Sequence, residues 1–125
     1  MLRILHLDYD ENEIARLRAY MAERLKVEID YVGAADGERF HTAIANGPYD
    51  LILGSSNLPD ISAATLLQLA RTHCPDAAFV LLSDNLSSTE VLNGVRLGAD
   101  DVVGRRDLHR LLPIVRRAAS HRGRH

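Results

Sequence analysis

Residues 49–59 read YDLILGSSNLP. Their apolar run, residues 51–54, is short and bounded by turn-forming residues, which is typical of a strand buried in a sheet. Ser55 and Ser56 follow the run directly and lead into an Asn-Leu-Pro turn. The segment therefore predicts a buried strand that opens into a polar loop. It places Ser55 at the carboxyl end of that strand, where a nucleophile would stand in an α/β protein.

The whole chain alternates short apolar runs with segments of helical periodicity five times, which predicts an α/β fold with a parallel sheet wrapped by helices. The predicted strands are residues 3–7, 27–32, 50–54, 78–82 and 101–103, the second of them at a sheet edge. The predicted helices are residues 11–25, 36–46, 63–72 and 88–97, and a last helix that Asp107 caps. Because Pro113 lies inside the last helix, we expect that helix to bend near His109.

Composition indicates one ordinary globular domain. The chain has 125 residues, of which 46% are hydrophobic and 26% charged, and no apolar run approaches the roughly 20 residues of a membrane span. The first ten residues lack the features of a secretory signal, so we expect a cytoplasmic protein without a membrane partner. Seven arginines crowd the last 21 residues. A solvated helix face or the start of a linker explains them better than nucleic-acid binding does.

In an open parallel sheet, ligands collect beyond the carboxyl ends of the strands. The side chains that follow those ends in this sequence are therefore expected to form one cluster. They are Asp8, Tyr9, Asp10, Ser55, Ser56, Asn57, Ser83, Asp84, Arg105 and Arg106.

The segment 49–59 resembles the third strand and active-site loop of the response-regulator receiver domain of two-component signalling, which usually reads YDLILLDLxLP. The GADD signature at residues 98–101 is also shared, and the resemblance covers residues 2–119. It implies a flavodoxin-like (βα)5 fold with strand order 2-1-3-4-5. Residues 120–125 are then expected to be a disordered tail or the start of a linker.

The resemblance also implies a role for each residue of the cluster. Asp8 matches the first residue of an acidic pair that binds a divalent cation, and Asn57 matches a residue whose carbonyl binds that cation. Ser83 matches a hydroxyl that contacts the phosphoryl group. The other positions depart from the family: Tyr9 replaces the second acid, and Ser55 replaces the phosphoacceptor aspartate. Likewise, Arg105 replaces a lysine, Arg106 a proline and Val102 a common aromatic switch residue.

These departures predict a degenerate phosphorylation pocket. A neutral serine hydroxyl supplies neither the charge nor the base that phosphoryl transfer requires, and Mg²⁺ prefers several carboxylate or carbonyl oxygens. We therefore expect no catalysis, no metal site and no cofactor, with an ion pair between Arg105 and Asp8. Plainer roles are open for the same residues: loop hydrogen bonds for Ser55 and Ser56, and a turn or capping element for Ser83 beside Asp84. Asp8, Asp10 and Glu11 would favour the positive start of the first helix. His6, His41 and His109 are expected in structural or surface roles.

Three functions compete. The first is a non-phosphorylatable pseudo-receiver that binds a kinase or output domain, or a second copy, through the face of the fourth helix, fifth strand and fifth helix. The residues predicted for that face are Glu90, Asn93, Arg96, Val102, His109, Arg110 and Arg116. The second is a flavodoxin-like module for a nucleotide or another small molecule, which the carboxylates of the segment DYDENE would disfavour by repelling phosphate. The third is residual chemistry on Asp8, Asp10 or Asp84, as a metal-dependent hydrolase or a true phosphoacceptor, for which the sequence offers no further catalytic group.

Overall fold

The computed structural model describes residues 1–56, 58–84 and 86–122, with side-chain surroundings described as far as residue 120. Five parallel strands alternate with helices along the chain. The strands are β1 (Leu2–Leu7), β2 (Ile29–Ala34), β3 (Leu51–Ser55), β4 (Ala78–Ser83) and β5 (Asp101–Gly104). The helices are α1 (Glu11–Arg24), α2 (Gly37–Ile44), α3 (Ala63–His73), α4 (Ser88–Leu97) and α5 (Leu111–Arg122), and a 3₁₀ turn, Leu108–Arg110, precedes α5.

The sheet has the order β2-β1-β3-β4-β5, as the resemblance implied. Every neighbouring pair of strands is parallel. Strand β2 is added on one side of β1, and β3, β4 and β5 follow on the other side. The strand order therefore reverses between β1 and β3, whose carboxyl ends lie side by side. This juxtaposition brings the loop after β1 next to Ser55.

One apolar core lies on each face of the sheet, because the strands are buried on both sides. The first core packs Phe40, Ile44 and Leu66 from α2 and α3 against Ile52 and Phe79 of the sheet. The second packs side chains of α1 and α5 against the other face, including Leu17, Met21, Leu111 and Val115. The two cores hold the strand ends in fixed positions relative to one another, which is what orients the polar cluster above them.

The helix starts follow the sequence pattern closely. Ser62 accepts a hydrogen bond from the backbone amide of Thr65, and Ser87 accepts one from that of Glu90. Helix α4 ends at Gly98, whose φ of 101° is a left-handed conformation that glycine adopts without strain. The predicted bounds of α4, residues 88–97, are confirmed.

The prediction of a bend in the last helix is wrong, because the helix starts later than predicted. Asp107 makes no side-chain capping bond, and the chain first forms the 3₁₀ turn Leu108–Arg110. The α-helix begins only at Leu111, so Pro113 lies in its first turn. Backbone N–H groups of the first turn have no acceptor within the helix, so the missing N–H of proline costs no hydrogen bond there. The proline is accommodated by a late helix start and not by a kink.

Most of the other bounds differ from the predictions by one or two residues, and the differences at β2 and at the chain's last helix matter most. Strand β2 begins at Ile29 and runs to Ala34, and Val27, predicted to be its first residue, is 47% exposed and precedes it. The predicted edge position of β2 is confirmed. Helix α5 reaches Arg122, so the first three residues of the predicted tail 120–125 are helical, and residues 123–125 lie outside the described residues.

Candidate functional site

The Arg105 side chain lies at the centre of the polar cluster above the sheet. Its Nη1 donates to Asp8 Oδ2 at 2.7 Å and to Glu13 Oε2 at 3.1 Å, and its Nη2 donates to Ser55 Oγ at 2.8 Å. Its Nε lies 2.5 Å from Asp84 Oδ1. The predicted ion pair between Arg105 and Asp8 is confirmed. The planar guanidinium uses all three of its nitrogens on partners in α1, at the end of β3 and just after the ends of β1 and β4.

The backbone at the end of β5 aims this side chain inward. The amide of Arg105 donates to the carbonyl of Ser83 at 3.0 Å, which continues the parallel pairing of β5 with β4 by one residue. Only 12% of the Arg105 side chain and 7% of the Asp8 side chain are exposed. The pair is therefore largely shielded from water, and loss of Arg105 would leave the buried Asp8 carboxylate without its cation.

Glu13 extends the cluster into α1 and was not predicted. Its carboxylate accepts from Arg105 and also from Arg16, whose Nε and Nη2 lie 2.8 and 2.9 Å away. The Arg16 guanidinium in turn reaches the backbone carbonyl of Arg105 at 3.3 Å. Glu13 lies in the first turn of α1. Its position on the side of that turn that faces the sheet is the one sequence signal that could have identified it as part of the cluster.

His6 lies fully buried beneath Asp8. Its Nδ1 is 2.8 Å from the Tyr31 hydroxyl, and its Nε2 is 3.5 Å from Asp8 Oδ2, at the limit of a hydrogen bond. The expected structural role is consistent with these contacts. The imidazole forms a link between β2, through Tyr31, and the charged cluster.

Burial and neighbouring charged groups shift the pKa values of this cluster in opposite directions. Burial by itself would raise the pKa of Asp8, but the adjacent His6 imidazole, the hydrogen bond from the amide of Asp10 and the guanidinium of Arg105 outweigh it and hold the pKa below its ordinary value. The hydrogen bond from Arg16 is the main cause of the lowered pKa of Glu13. Burial lowers the pKa of His6 more than the nearby Asp8 raises it. At neutral pH, therefore, the carboxylates are charged and His6 is neutral.

The remaining predicted residues do not join the Arg105 cluster. Tyr9 is 40% exposed, and the nearby carboxylate of Asp60 raises the pKa of its phenol. Asp60 accepts from the amide of Gly37 at 2.9 Å, which ties the loop before α3 to the start of α2. Asp10 is the N-cap of α1 and accepts from the amide of Asn12. Asp10 therefore lies at the start of the first helix, as expected.

Ser83 is turned away from the cluster. It is fully buried, and its hydroxyl donates to the carboxylate of Glu90 in α4. The hydroxyl that the resemblance assigned to the phosphoryl group therefore connects β4 to α4 in this structure. Asn57 lies outside the described residues.

The donor set does not suit a divalent cation. The two carboxylates nearest the carboxyl end of β1, Asp8 and Glu13, already bind the positively charged Arg105. Ser55 adds a neutral hydroxyl to the same guanidinium, and the Tyr9 phenol faces Asp60. A second cation would have to approach Arg105 closely, at a substantial cost in Coulomb energy.

Five of the seven residues predicted for the partner face are exposed. Asn93 and Arg96 of α4 and His109, Arg110 and Arg116 near α5 are exposed, and Glu90 is half-buried against Ser83. Val102 is only 2% exposed, so its prediction as a surface contact is wrong. It points into the sheet–helix core, where a Cβ on Gly94 would lie 2.3 Å from its Cγ2.

Comparison with known proteins shows where this fold occurs. No family model matches the chain. Its sequence is 30% identical over 103 residues to the transcriptional regulatory protein RprY of Bacteroides fragilis, a match over 82% of this chain and 42% of that protein. The chain thus spans less than half the length of that relative.

Solved receiver domains superpose over almost the whole chain. The receiver domain of the Francisella response regulator 1452 gives a TM-score of 0.81 at 21% identity, covering 97% of this chain and 98% of that one. The receiver domain of a DNA-binding response regulator from Colwellia psychrerythraea gives 0.84 at 13% identity, covering 96% and 99%. The beryllofluoride-activated receiver domain dimer of NtrC4 gives 0.79 at 18% identity, covering 94% and 96%. With its strand order and its five helices, the chain has the fold of the response-regulator receiver domains.

Proposed function

We propose that this chain is a pseudo-receiver domain of a two-component signalling protein, a module that is not phosphorylated and acts by binding another protein. The observation that carries the proposal is the position of Arg105. Its guanidinium occupies the space between Asp8, Glu13, Asp84 and Ser55, which is where a phosphoryl group and its cation would have to enter.

Two features of the pocket oppose phosphoryl transfer. The side chain at the end of β3 is Ser55, a neutral hydroxyl that already accepts from Arg105 and lacks the negative charge of a phosphoacceptor carboxylate. The carboxylate of Asp8, the residue best placed to hold a cation, is paired at 2.7 Å with Arg105. Phosphorylation would require both contacts to break in a largely buried site.

The same contacts give the domain a fixed conformation. Arg105, at the end of β5, is tied to β1 through Asp8 and to β3 through Ser55. Ser83 is tied to α4 through Glu90. A regulated receiver needs two conformations that differ by a few kcal/mol, so that a phosphoryl group can shift the equilibrium between them. Here the Arg105 guanidinium stabilises a single conformation without a phosphoryl group.

The proposed partner is a kinase or an output domain, in the same pathway or in a longer parent chain, and we assign the domain no enzymatic activity. The similarity to RprY, a transcriptional regulatory protein more than twice as long as the matched segment, supports a role beside a further domain. In the described part of the chain, no helix has the length and apolar character to cross a membrane.

Intact mass spectrometry after incubation with acetyl phosphate and Mg²⁺ tests the proposal. We expect no mass increase, and we expect beryllofluoride with Mg²⁺ to leave the amide resonances around Ser55 unshifted. A phosphorylated receiver domain with an aspartate at the matching position serves as the positive control for the reagents. A stoichiometric phosphoryl adduct on any residue of the Arg105 cluster would contradict the proposal.

A further inference from the structure

The outer edge of β2 presents backbone groups that the sheet does not use. Strand β2 is six residues long and pairs with β1 along its whole length, and within the described residues no strand pairs with its other side. The amide of Asp8 donates to the carbonyl of Ala34, so Ala34 points towards β1. Because the backbone groups of a strand alternate in direction, the amides and carbonyls of Ile29, Tyr31 and Gly33 point outward.

This edge has little of the protection that exposed strands usually carry. Native sheets block their edges with proline, lysine, a bulge or a covering element. Strand β2 reads IDYVGA and pairs with β1 without a bulge. The Arg18 side chain of α1 lies against it, where its Nη2 donates to the Tyr31 carbonyl at 3.3 Å and its guanidinium carbon is 5.4 Å from the centre of the Tyr31 ring.

Arg18 can leave the edge at low cost. It is exposed, and among the described residues it has no carboxylate within ion-pair distance. A single long hydrogen bond from an exposed side chain contributes little to stability. An incoming strand could therefore displace the guanidinium from the Tyr31 carbonyl and offer it a carboxylate instead.

A groove of about 520 Å³ runs along the α2 side of the same edge. Its lining includes the apolar Val32 of β2 and Ala43 of α2, beside polar residues of α2. The side chains of an added strand would alternate between this groove and the α1 side, where Arg18 lies. The edge thus offers backbone hydrogen bonds together with a different environment for each set of alternate side chains, which is how strand addition achieves selectivity.

The charge on this edge favours another protein over a second copy of the chain. Antiparallel pairing of two β2 strands about a two-fold axis at Tyr31 would place the Arg18 side chains of both copies on the same stretch of edge. Like charges that face each other across paired strands are destabilising. A partner strand with glutamate or aspartate on the α1 side would instead form an ion pair with Arg18.

We infer that the outer edge of β2 binds an extended segment of a partner protein as a sixth strand, with acidic side chains towards Arg18 and aliphatic side chains towards the α2 groove. The inference rests on the proposed function, since it specifies a second binding surface of the interaction module and the kind of segment that it takes. Strand β2 and strand β5 are the two opposite edges of the sheet, so this surface is separate from the predicted partner face.

Designed six-residue peptides test the inference. One alternates valine with glutamate, and its matched control alternates valine with lysine. Each is titrated into the isotope-labelled chain, without a phosphate donor, while amide resonances and amide hydrogen exchange are recorded. The glutamate peptide is expected to shift the amides of Ile29, Tyr31 and Gly33, to slow their exchange, and to bind at least roughly fivefold more tightly than the lysine peptide.

N-methylation of the glutamate peptide tests whether backbone bonds are used. Methyl groups are placed on every second amide, in each of the two possible frames. Only one set of alternate amides faces β2 in an added strand, so methylation in one frame is expected to abolish binding and in the other frame to preserve it. Both forms keep the side chains of the parent peptide.

A charge reversal tests the role of Arg18. Arg18→Glu is expected to reverse the preference, so that the lysine peptide binds more tightly than the glutamate peptide. Arg96→Glu, at an exposed position on α4, is the control and is expected to leave the preference unchanged. Both substitutions are at exposed positions, so the folded state is expected to persist, which circular dichroism checks.

Four outcomes would overturn the inference. They are no shift in β2 at roughly millimolar peptide, equal binding of the two N-methylated forms, equal affinity for the glutamate and lysine peptides, and a dimer in sedimentation whose β2 amides are already protected from exchange. These results are distinguishable from failure of the proposed function. A chain that acetyl phosphate leaves unmodified and that ignores the peptides contradicts only this inference, whereas a chain that acetyl phosphate modifies contradicts the proposed function whatever the peptides do.

Discussion

Arg105 Nη2 lies 2.8 Å from Ser55 Oγ, so a side chain from the end of β5 reaches over β4 to the end of β3. The same guanidinium also reaches Asp8 at the end of β1. One residue thus ties the carboxyl ends of three strands together. Because the network is largely shielded from solvent, substitutions in it are expected to change the stability of the fold by a measurable amount.

Removing the guanidinium is expected to destabilise the fold. Arg105→Met keeps most of the side-chain volume but leaves Asp8 and Glu13 without their common cation, and breaking a buried pair in this way costs about 3 kcal/mol. Urea denaturation at neutral pH measures the change in the free energy of unfolding. Arg117→Met, at an exposed position on α5, is the control and is expected to stay within about 0.5 kcal/mol of the parent chain.

The double variant isolates the cause. Asp8→Asn combined with Arg105→Met removes both buried charges, and it is expected to be more stable than Arg105→Met alone. If the double variant is the less stable of the two, uncompensated charge is not the reason for the loss.

Stability is expected to fall as the solution becomes acidic, in two stages. The pKa of His6 in the folded chain is below its ordinary value of 6.5 because of burial, so the unfolded chain binds more protons and stability decreases as pH falls below about 6.5. The pKa of Asp8 is also lowered, which adds a second loss as pH falls through and below its ordinary value near 3.8. Urea midpoints between pH 8 and pH 3, at roughly unit intervals, record both stages.

His6→Gln identifies the first stage. Glutamine does not titrate, so the slope between roughly pH 6.5 and pH 5 is expected to flatten, although the variant is less stable at every pH. An unaltered slope in His6→Gln would mean that another group causes the first stage.

Much of the fold follows from local sequence signals. The strand pattern of residues 51–54, the serine cap of α4 and the glycine that ends it act within a few residues, and the structure retains each of them. The ion pair between Arg105 and Asp8 was also foreseeable, because the ends of parallel strands meet at one edge and opposite charges stood at two of those ends.

The rest of the site depends on packing that no local pattern contains. Glu13 enters the cluster only because α1 turns that face towards the sheet, and His6 becomes a link only because β2 places Tyr31 opposite it. The Ser83 hydroxyl was expected to face the polar cluster, but it donates to Glu90 of α4 because α4 places that carboxylate beside it. Val102 was assigned to the surface by resemblance, whereas the close approach of Gly94 buries it.

Restoring the missing carboxylate alone is not expected to restore phosphorylation. In Ser55→Asp, the new carboxylate stands within reach of Arg105, which already neutralises Asp8, so the pocket gains an ion pair and not a cation site. We expect no phosphoryl adduct by intact mass after treatment with acetyl phosphate and Mg²⁺. The triple variant Tyr9→Asp, Ser55→Asp and Arg105→Lys, which adds two acids and replaces the planar fork with a compact charge, is expected to gain one.

The two variants together define the limiting residue. An adduct on Ser55→Asp alone would show that Arg105 does not block the site. Failure of the triple variant, provided that it remains folded by circular dichroism, would show that positions beyond these three prevent the reaction.

The packing of α4 on β5 is expected to tolerate no added methyl group at Gly94. A Cβ there would lie 2.3 Å from Val102 Cγ2 and 3.4 Å from Leu81 Cδ1, and Val102 is too buried to move aside freely. Gly94→Ala gains about 1 kcal/mol of helix propensity, but the clash is expected to outweigh this and give a net loss of about 1–2 kcal/mol in urea denaturation. Val102→Ala makes room for the methyl group, so in that background Gly94→Ala is expected to be neutral or stabilising. Equal effects of Gly94→Ala in the two backgrounds would show that Val102 does not set the distance between α4 and β5.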